Sequence, residues 1–326
     1  MKKLLSLLFM VGLLSACGKV SVEDVPVELG KKINDIDSYF AVAMMEVTRG
    51  NDLKKYDLEI SYMAPESFKV KMINQDNNST QMILKNKEGV FVITPELNKS
   101  FQFQSEWPLN TSHAYLYQSL VSDILNDENA SVVIEEDEII VKSKVDYKTN
   151  SELKTQKVIL DVKTLLPKEV VVFDSQMEPV IKVTFSEFEL NKKFDESYFD
   201  KDSNLEAETL AMGEGGAYVR EVHYPNYYPQ NVSVVSEEIT EESAITVFGG
   251  ETGFTVFQRF IDTNGPSILP QFVYGEPVLV NGTFGVLNES SVMWYSEGTE
   301  YMIVSNELSN QELMELATSF TVEYNK

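Results

Sequence analysis

Tyr56-Asp57-Leu58-Glu59-Ile60-Ser61-Tyr62 alternates apolar and polar residues without a break, the period of a strand with one face in a core and the other in water. The period returns in Phe68-Lys69-Val70-Lys71-Met72 and in Lys99-Ser100-Phe101-Gln102-Phe103-Gln104. Between these runs, Gln81-Met82-Ile83-Leu84 and Gly89-Val90-Phe91-Val92-Ile93 read as more deeply buried strands. Further strands are expected over 138–147, 156–163, 169–173 and 180–190, after a short helix over 26–36. Asn74-Gln75-Asp76-Asn77-Asn78, Asn86-Lys87-Glu88-Gly89 and Lys163-Thr164-Leu165-Leu166-Pro167 supply turn chemistry between them. Strands this short and this closely spaced favour an antiparallel meander over βαβ units.

One segment interrupts the meander. Residues 114–125 place Leu116, Leu120, Val121, Ile124 and Leu125 on one helical face. A lone amphipathic helix must bury that face on the sheet, as a plug in an open barrel or as a lid over it. Trp107, which leads into the helix, and Tyr115, Leu116, Leu120 and Ile124 on it are therefore the residues expected to line or close a cavity mouth.

Outward from this core, 326 residues suggest two domains. Lys and Arg total 27 against 51 Asp and Glu, a net charge of −24, and no basic stripe offsets it, which excludes nucleic acid as a partner. The charge changes character near Leu205. Residues 17–205 hold 22 basic and 33 acidic side chains, whereas 206–326 hold 3 and 18. With Gly213-Glu214-Gly215-Gly216 just beyond, the expected layout is a first domain over 25–205, a linker over 206–220 and a smaller α+β domain over 221–326. That second domain reads as short strands ending in a helix with a capping box, Ser309-Asn310-Gln311-Glu312, which turns Leu313, Leu316, Ala317 and Phe320 inward. The fold class is thus mainly β with α.

The N-terminus reads as an address. Lys2 and Lys3 precede the apolar run 4–14, too short for the ~20 residues of a spanning helix. Leu14-Ser15-Ala16-Cys17 then resembles the lipobox of bacterial lipoproteins. The resemblance implies a signal peptide over 1–16, a diacylglyceryl anchor on Cys17, a tether over 17–24, and a body held on the extracytoplasmic side of the cell membrane. Two acyl chains fit the physics, since one alone binds a bilayer with K on the order of 10⁴ M⁻¹.

Catalytic motifs are missing. There is no G-x-S-x-G elbow, P-loop or H-E-x-x-H, and one cysteine with two histidines leaves little for a disulfide framework or a metal site. Glu135-Glu136-Asp137-Glu138 reads as a solvated hairpin tip, and Gly249-Gly250-Glu251-Thr252-Gly253 as a β-turn. The expectation is a protein that is not an enzyme and uses no cofactor or metal.

The first half resembles the LolA/RseB-like lipoprotein-carrier superfamily. The likeness rests on residues 56–70, on Lys87-Glu88-Gly89-Val90-Phe91-Val92-Ile93-Thr94-Pro95, on residues 99–108, on the 115–125 helix and on Leu165-Leu166-Pro167-Lys168 before a strand. Within the group it is most similar to YdcC-type lipoproteins of spore-forming Gram-positive bacteria, and more distantly to the GerS type. The resemblance implies a curved antiparallel half-barrel wrapped around an apolar cavity and covered by helices. It further implies a carrier or sensor for a hydrophobic ligand, an acyl chain or lipidated peptide. The alternative is a sporulation or germination scaffold that binds or activates a cell-wall-modifying enzyme. A chain tethered through Cys17 could not ferry cargo between membranes.

Overall fold

The computed structural model describes residues 21–320, apart from 50–51, 98, 109–110, 148–151, 213–219, 262–270 and 297. Helix α1 (Val25–Asn34) opens it, with Pro26 in its first turn and Val25 and Leu29 buried. Six strands follow: β1 (Ser38–Arg49), β2 (Asp52–Met63), β3 (Ser67–Asn74), β4 (Thr80–Asn86), β5 (Gly89–Thr94) and β6 (Lys99–Phe103). After helix α2 (Tyr117–Asn126) come β7 (Ser131–Glu135), β8 (Glu138–Lys144), β9 (Leu153–Asp161), β10 (Pro167–Asp174) and β11 (Pro179–Leu190), then helix α3 (Lys201–Met212).

These strands form one large sheet in the order β6-β5-β4-β3-β2-β1-β11-β10-β9-β8-β7, antiparallel throughout, as a meander requires. Alternation sets its two faces. Leu58 lies opposite Met72 and Ala43, and Ile60 opposite Val70 and Ala41, so the inner face is a continuous apolar surface. Helices α1 and α2 pack on that face, close enough that Gly30 of α1 faces the Leu125 side chain. The outer face carries α3. Lys71 pairs with Glu208 at 2.8 Å, Lys69 reaches Asn204 Oδ1 at 3.0 Å, and Leu205 packs with Met82 and Ile93.

The second unit comprises β12 (Ser233–Ile239), β13 (Ser243–Gly249), β14 (Phe254–Phe260), β15 (Gln271–Val273), β16 (Glu276–Val280), β17 (Thr283–Leu287), β18 (Ser291–Ser296), β19 (Thr299–Val304) and helix α4 (Asn310–Thr318). All but β15 form a second antiparallel sheet, β12-β13-β14-β19-β18-β17-β16. Helix α4 packs its buried Leu313, Leu316 and Ala317 on that sheet with Trp294 and Tyr301. The Ser309 and Glu312 capping box is formed as read from the sequence.

One boundary is corrected. The linker over 206–220 starts inside α3, which continues to Met212; residues 213–219 lie outside the described residues. The second unit packs against the first. Its β15 adds to β6 as a parallel edge strand of the first sheet, and Phe284, Val286 and Tyr295 join the first core. Composition marks a change of surface chemistry, not a break in packing. Strand β1 went unread because Ala41, Ala43, Met44 and Met45 favour helix by propensity. Ladders to β2 and β11 on either side override that preference.

Candidate functional site

The docking of the second unit encloses an apolar cavity of about 430 Å³ against the inner face of the first sheet. That volume falls within the roughly 300–1,000 Å³ of small-molecule sites. Met45, Leu58, Val70 and Met72 of β1–β3 form its floor. Leu153, Val180 and Ile181 of β9 and β11 form one wall. Pro277, Leu279 and Phe284 of the β16–β17 hairpin, with Met314 of α4, form the opposite wall. Trp107 and the segment 111–115 complete the enclosure.

Local bonding holds that segment. The Trp107 indole packs edge-on against Phe68 at 6.1 Å and against the His113 ring at 5.8 Å. Its backbone N–H donates to Ser105 Oγ at 3.0 Å, and Ser105 Oγ in turn donates to Glu276 Oε2 of β16 at 2.7 Å. Ser112 Oγ donates to Asp123 Oδ1 of α2 at 2.9 Å and accepts the Asp146 N–H at 2.7 Å. The His113 N–H donates to Ser119 Oγ of α2 at 2.7 Å.

Burial governs the electrostatics. It pushes the His113 imidazole down to about 3, so the ring is neutral at physiological pH. It raises the Tyr115 and Tyr147 phenols well above their ordinary value. It also raises Asp123 to about 6, against the hydrogen bonds from Ser112 and Gln156 that favour the charged form. Carboxylates at Glu152, Asp174, Glu276 and Glu315 are the remaining ionisable groups among the described lining residues, which include no Lys or Arg. Such a cavity is suited to burying an apolar chain. Among the described residues no cluster of His, Cys, Asp and Glu is placed to hold a metal, and no helix is long and apolar enough to cross a membrane.

The residues singled out from sequence divide. Trp107 and Tyr115 line the cavity. Leu116, Leu120 and Ile124 do not; they are 0–2% exposed within the core beneath α2. Leu116 precedes the helix in an extended conformation, so α2 begins at Tyr117, three residues after the start of the 114–125 segment expected to be helical. Cys17 lies outside the described residues. Met45, Met72, Phe284 and Met314 went unread as lining residues. Alternation foretells that the β1–β3 residues face inward, but nothing local places the β16–β17 hairpin and α4 across from them.

Residues 1–199 match the family described as sporulation protein YdcC-like. Over 329 aligned residues the chain is 34% identical to sporulation protein YdcC of Bacillus subtilis, covering 99% of this chain and 97% of that one. The chain belongs to the YdcC-like sporulation protein family. The family match ends before α3, whereas the similarity to the Bacillus subtilis relative runs through both units. Among solved structures, this YdcC-like chain is similar to MucB, with 12% identity, 94% of this chain and 99% of that one covered, and a TM-score of 0.36. It is also similar to the LolA superfamily protein NE2245 from Nitrosomonas europaea (10% identity, 56% and 99% covered, TM-score 0.33). A third similar structure is the complex of the CwlD amidase from Clostridioides difficile with the GerS lipoprotein (16% identity, 60% and 100% covered, TM-score 0.32).

Proposed function

We propose that this chain is a membrane-tethered extracytoplasmic lipoprotein, anchored through Cys17, that holds a hydrophobic ligand between its two units as a carrier or sensor and catalyses no reaction. The carrying observation is the 430 Å³ cavity, with apolar walls from both units and Trp107 at one side. An acyl chain or the lipid-modified end of a peptide suits it. Each buried CH₂ contributes about 0.8 kcal/mol, so a chain of eight carbons gains roughly 6 kcal/mol without any polar contact. Native mass spectrometry of the Cys17→Ser protein tests this reading. A co-purified lipid, lost in a cavity-filling Val70→Trp variant that still folds, is the expected result. Protein that carries no lipid and takes up none when offered would overturn it.

A second reading is supported by the edge strand β15. Phe272 within it and Tyr274 just after it are 74% and 75% exposed, large apolar rings left in water at the open edge of the first sheet. A protein partner such as a cell-wall-modifying enzyme would gain from covering them. Phe272→Ser/Tyr274→Ser should then abolish partner capture while leaving the melting temperature and lipid uptake unchanged.

A further inference from the structure

Three neutral polar rings, His113, Tyr115 and Tyr147, share one part of the cavity wall with Trp107. The His113 ring lies 5.6 Å from that of Tyr115 and 5.8 Å from the Trp107 indole. The Tyr115 hydroxyl meets His113 Nδ1 at 3.5 Å. The other ring nitrogen, Nε2, is buried and has no hydrogen-bond partner among the described residues. Tyr147 stands close enough to Tyr115 for the two phenols to raise each other's cost of ionising, and the Ala114 N–H bonds to its oxygen, which leaves the Tyr147 proton to donate elsewhere. Burial keeps all three rings uncharged at physiological pH. A buried polar atom without a partner carries its desolvation cost for as long as only hydrocarbon faces it.

We infer that the cavity takes acyl chains carried as esters or amides, with the uncharged acyl carbonyl oxygen accepting from His113, and that His113 thereby sets the chemical class of the ligand. The inference rests on the ligand-holding reading above and adds the group that joins tail to head. With the Tyr115 O–H donating to Nδ1, the one proton of the neutral imidazole sits on Nε2, and Tyr147 supplies a second donor nearby. The tail would lie against Met45, Leu58 and Phe284, which line the same cavity. A free carboxylate in place of the carbonyl would be a buried charge that no Lys or Arg meets among the described lining residues. A bare alkyl chain would fill the space and leave Nε2 without a partner. The corner therefore favours a neutral acceptor over either.

The test uses the full chain and four probes of equal tail length, methyl decanoate, N-methyldecanamide, decanoate and decane, read at neutral pH by displacement of Nile red. The better of the two carbonyl probes should bind about tenfold more tightly than decane, equivalent to about 1.4 kcal/mol, and more tightly than decanoate. Which of the two is better tells an ester-linked from an amide-linked ligand. His113→Phe should erase most of that advantage. Tyr147→Phe, which keeps the ring and removes only the hydroxyl, should reduce it. Decane affinity should hold in both variants, as the control for fold and cavity. Carbonyl probes no tighter than decane, decanoate as tight as the ester, or an advantage left intact in whichever variant melts as the native protein does, would overturn the carbonyl selection alone. Failure of all four probes, decane included, would overturn the ligand-holding reading and this inference with it.

Discussion

Replacing Gly282 by alanine puts the packing of the two units to a direct test. Gly282 turns β16 into β17 with φ of +82°, a conformation that L side chains rarely adopt. A methyl group there would overlap the Tyr56 ring of β2, which is 1% exposed and held between the neighbouring strands. The left-handed backbone costs about 1–2 kcal/mol for a residue with a Cβ. Crowding a packed ring adds about 1–3 kcal/mol. The expected destabilisation is therefore roughly 2–5 kcal/mol, a fall of about 10 °C in a chain of this size. Thermal and urea unfolding followed by circular dichroism would measure it. The decisive comparison is a double-mutant cycle with Tyr56→Ala. Truncating the ring makes room for the methyl, so the double variant should lose less than the sum of the two single losses, by about the crowding part. Additive losses, within about 0.5 kcal/mol, would mean that Gly282 and Tyr56 are not in contact, and the hairpin would not be seated on the first sheet.

Other expectations follow from single residues. Leu120→Glu places a carboxylate in the core beneath α2, where Leu120 is 1% exposed, and should cost several kcal/mol; an unchanged melting temperature would remove Leu120 from the core. Asp123 lies at about 6 rather than 3.8 because it is buried, so its protonated form is favoured in the folded state. The associated stability, ~3 kcal/mol, is fully present below pH 3.8 and lost as pH rises through about 6. The stability difference between the native protein and Asp123→Asn should therefore shift between pH 4 and pH 7.5, on the order of that amount; a constant difference across the range would contradict the burial. Cys17→Ala should move the protein out of the membrane fraction once the signal peptide is removed, as cell fractionation with immunoblotting would show, and retention of the cleaved form would refute the anchor.

What could be read from sequence was what neighbouring residues decide. Alternation in 56–62, 68–72 and 99–104 assigns strands and their inner faces, because side chains of a strand point to opposite sides by covalent geometry. Ser309 and Glu312 cap α4 because both bonds close within four residues, and Glu135 to Glu138 turn the β7–β8 hairpin with Glu136 at positive φ. Strand β1 lacks that alternation, and ladders to β2 and β11 on either side hold its Ala and Met residues extended. Tertiary structure alone decided the site. The cavity depends on Phe284 N–H donating to Gln81 Oε1 across 203 residues, and on Ser105 reaching Glu276 across 171. It depends equally on β15 joining β6 and on the Phe101 and Tyr295 rings stacking at 4.9 Å. The charge shift near Leu205 marks a second domain but says nothing of how it packs, since composition records which residues meet water and not which surfaces meet each other. Docking the β16–β17 hairpin on the inner face leaves apolar side chains from both halves around a space that neither sequence segment encloses by itself, and the site exists for that reason.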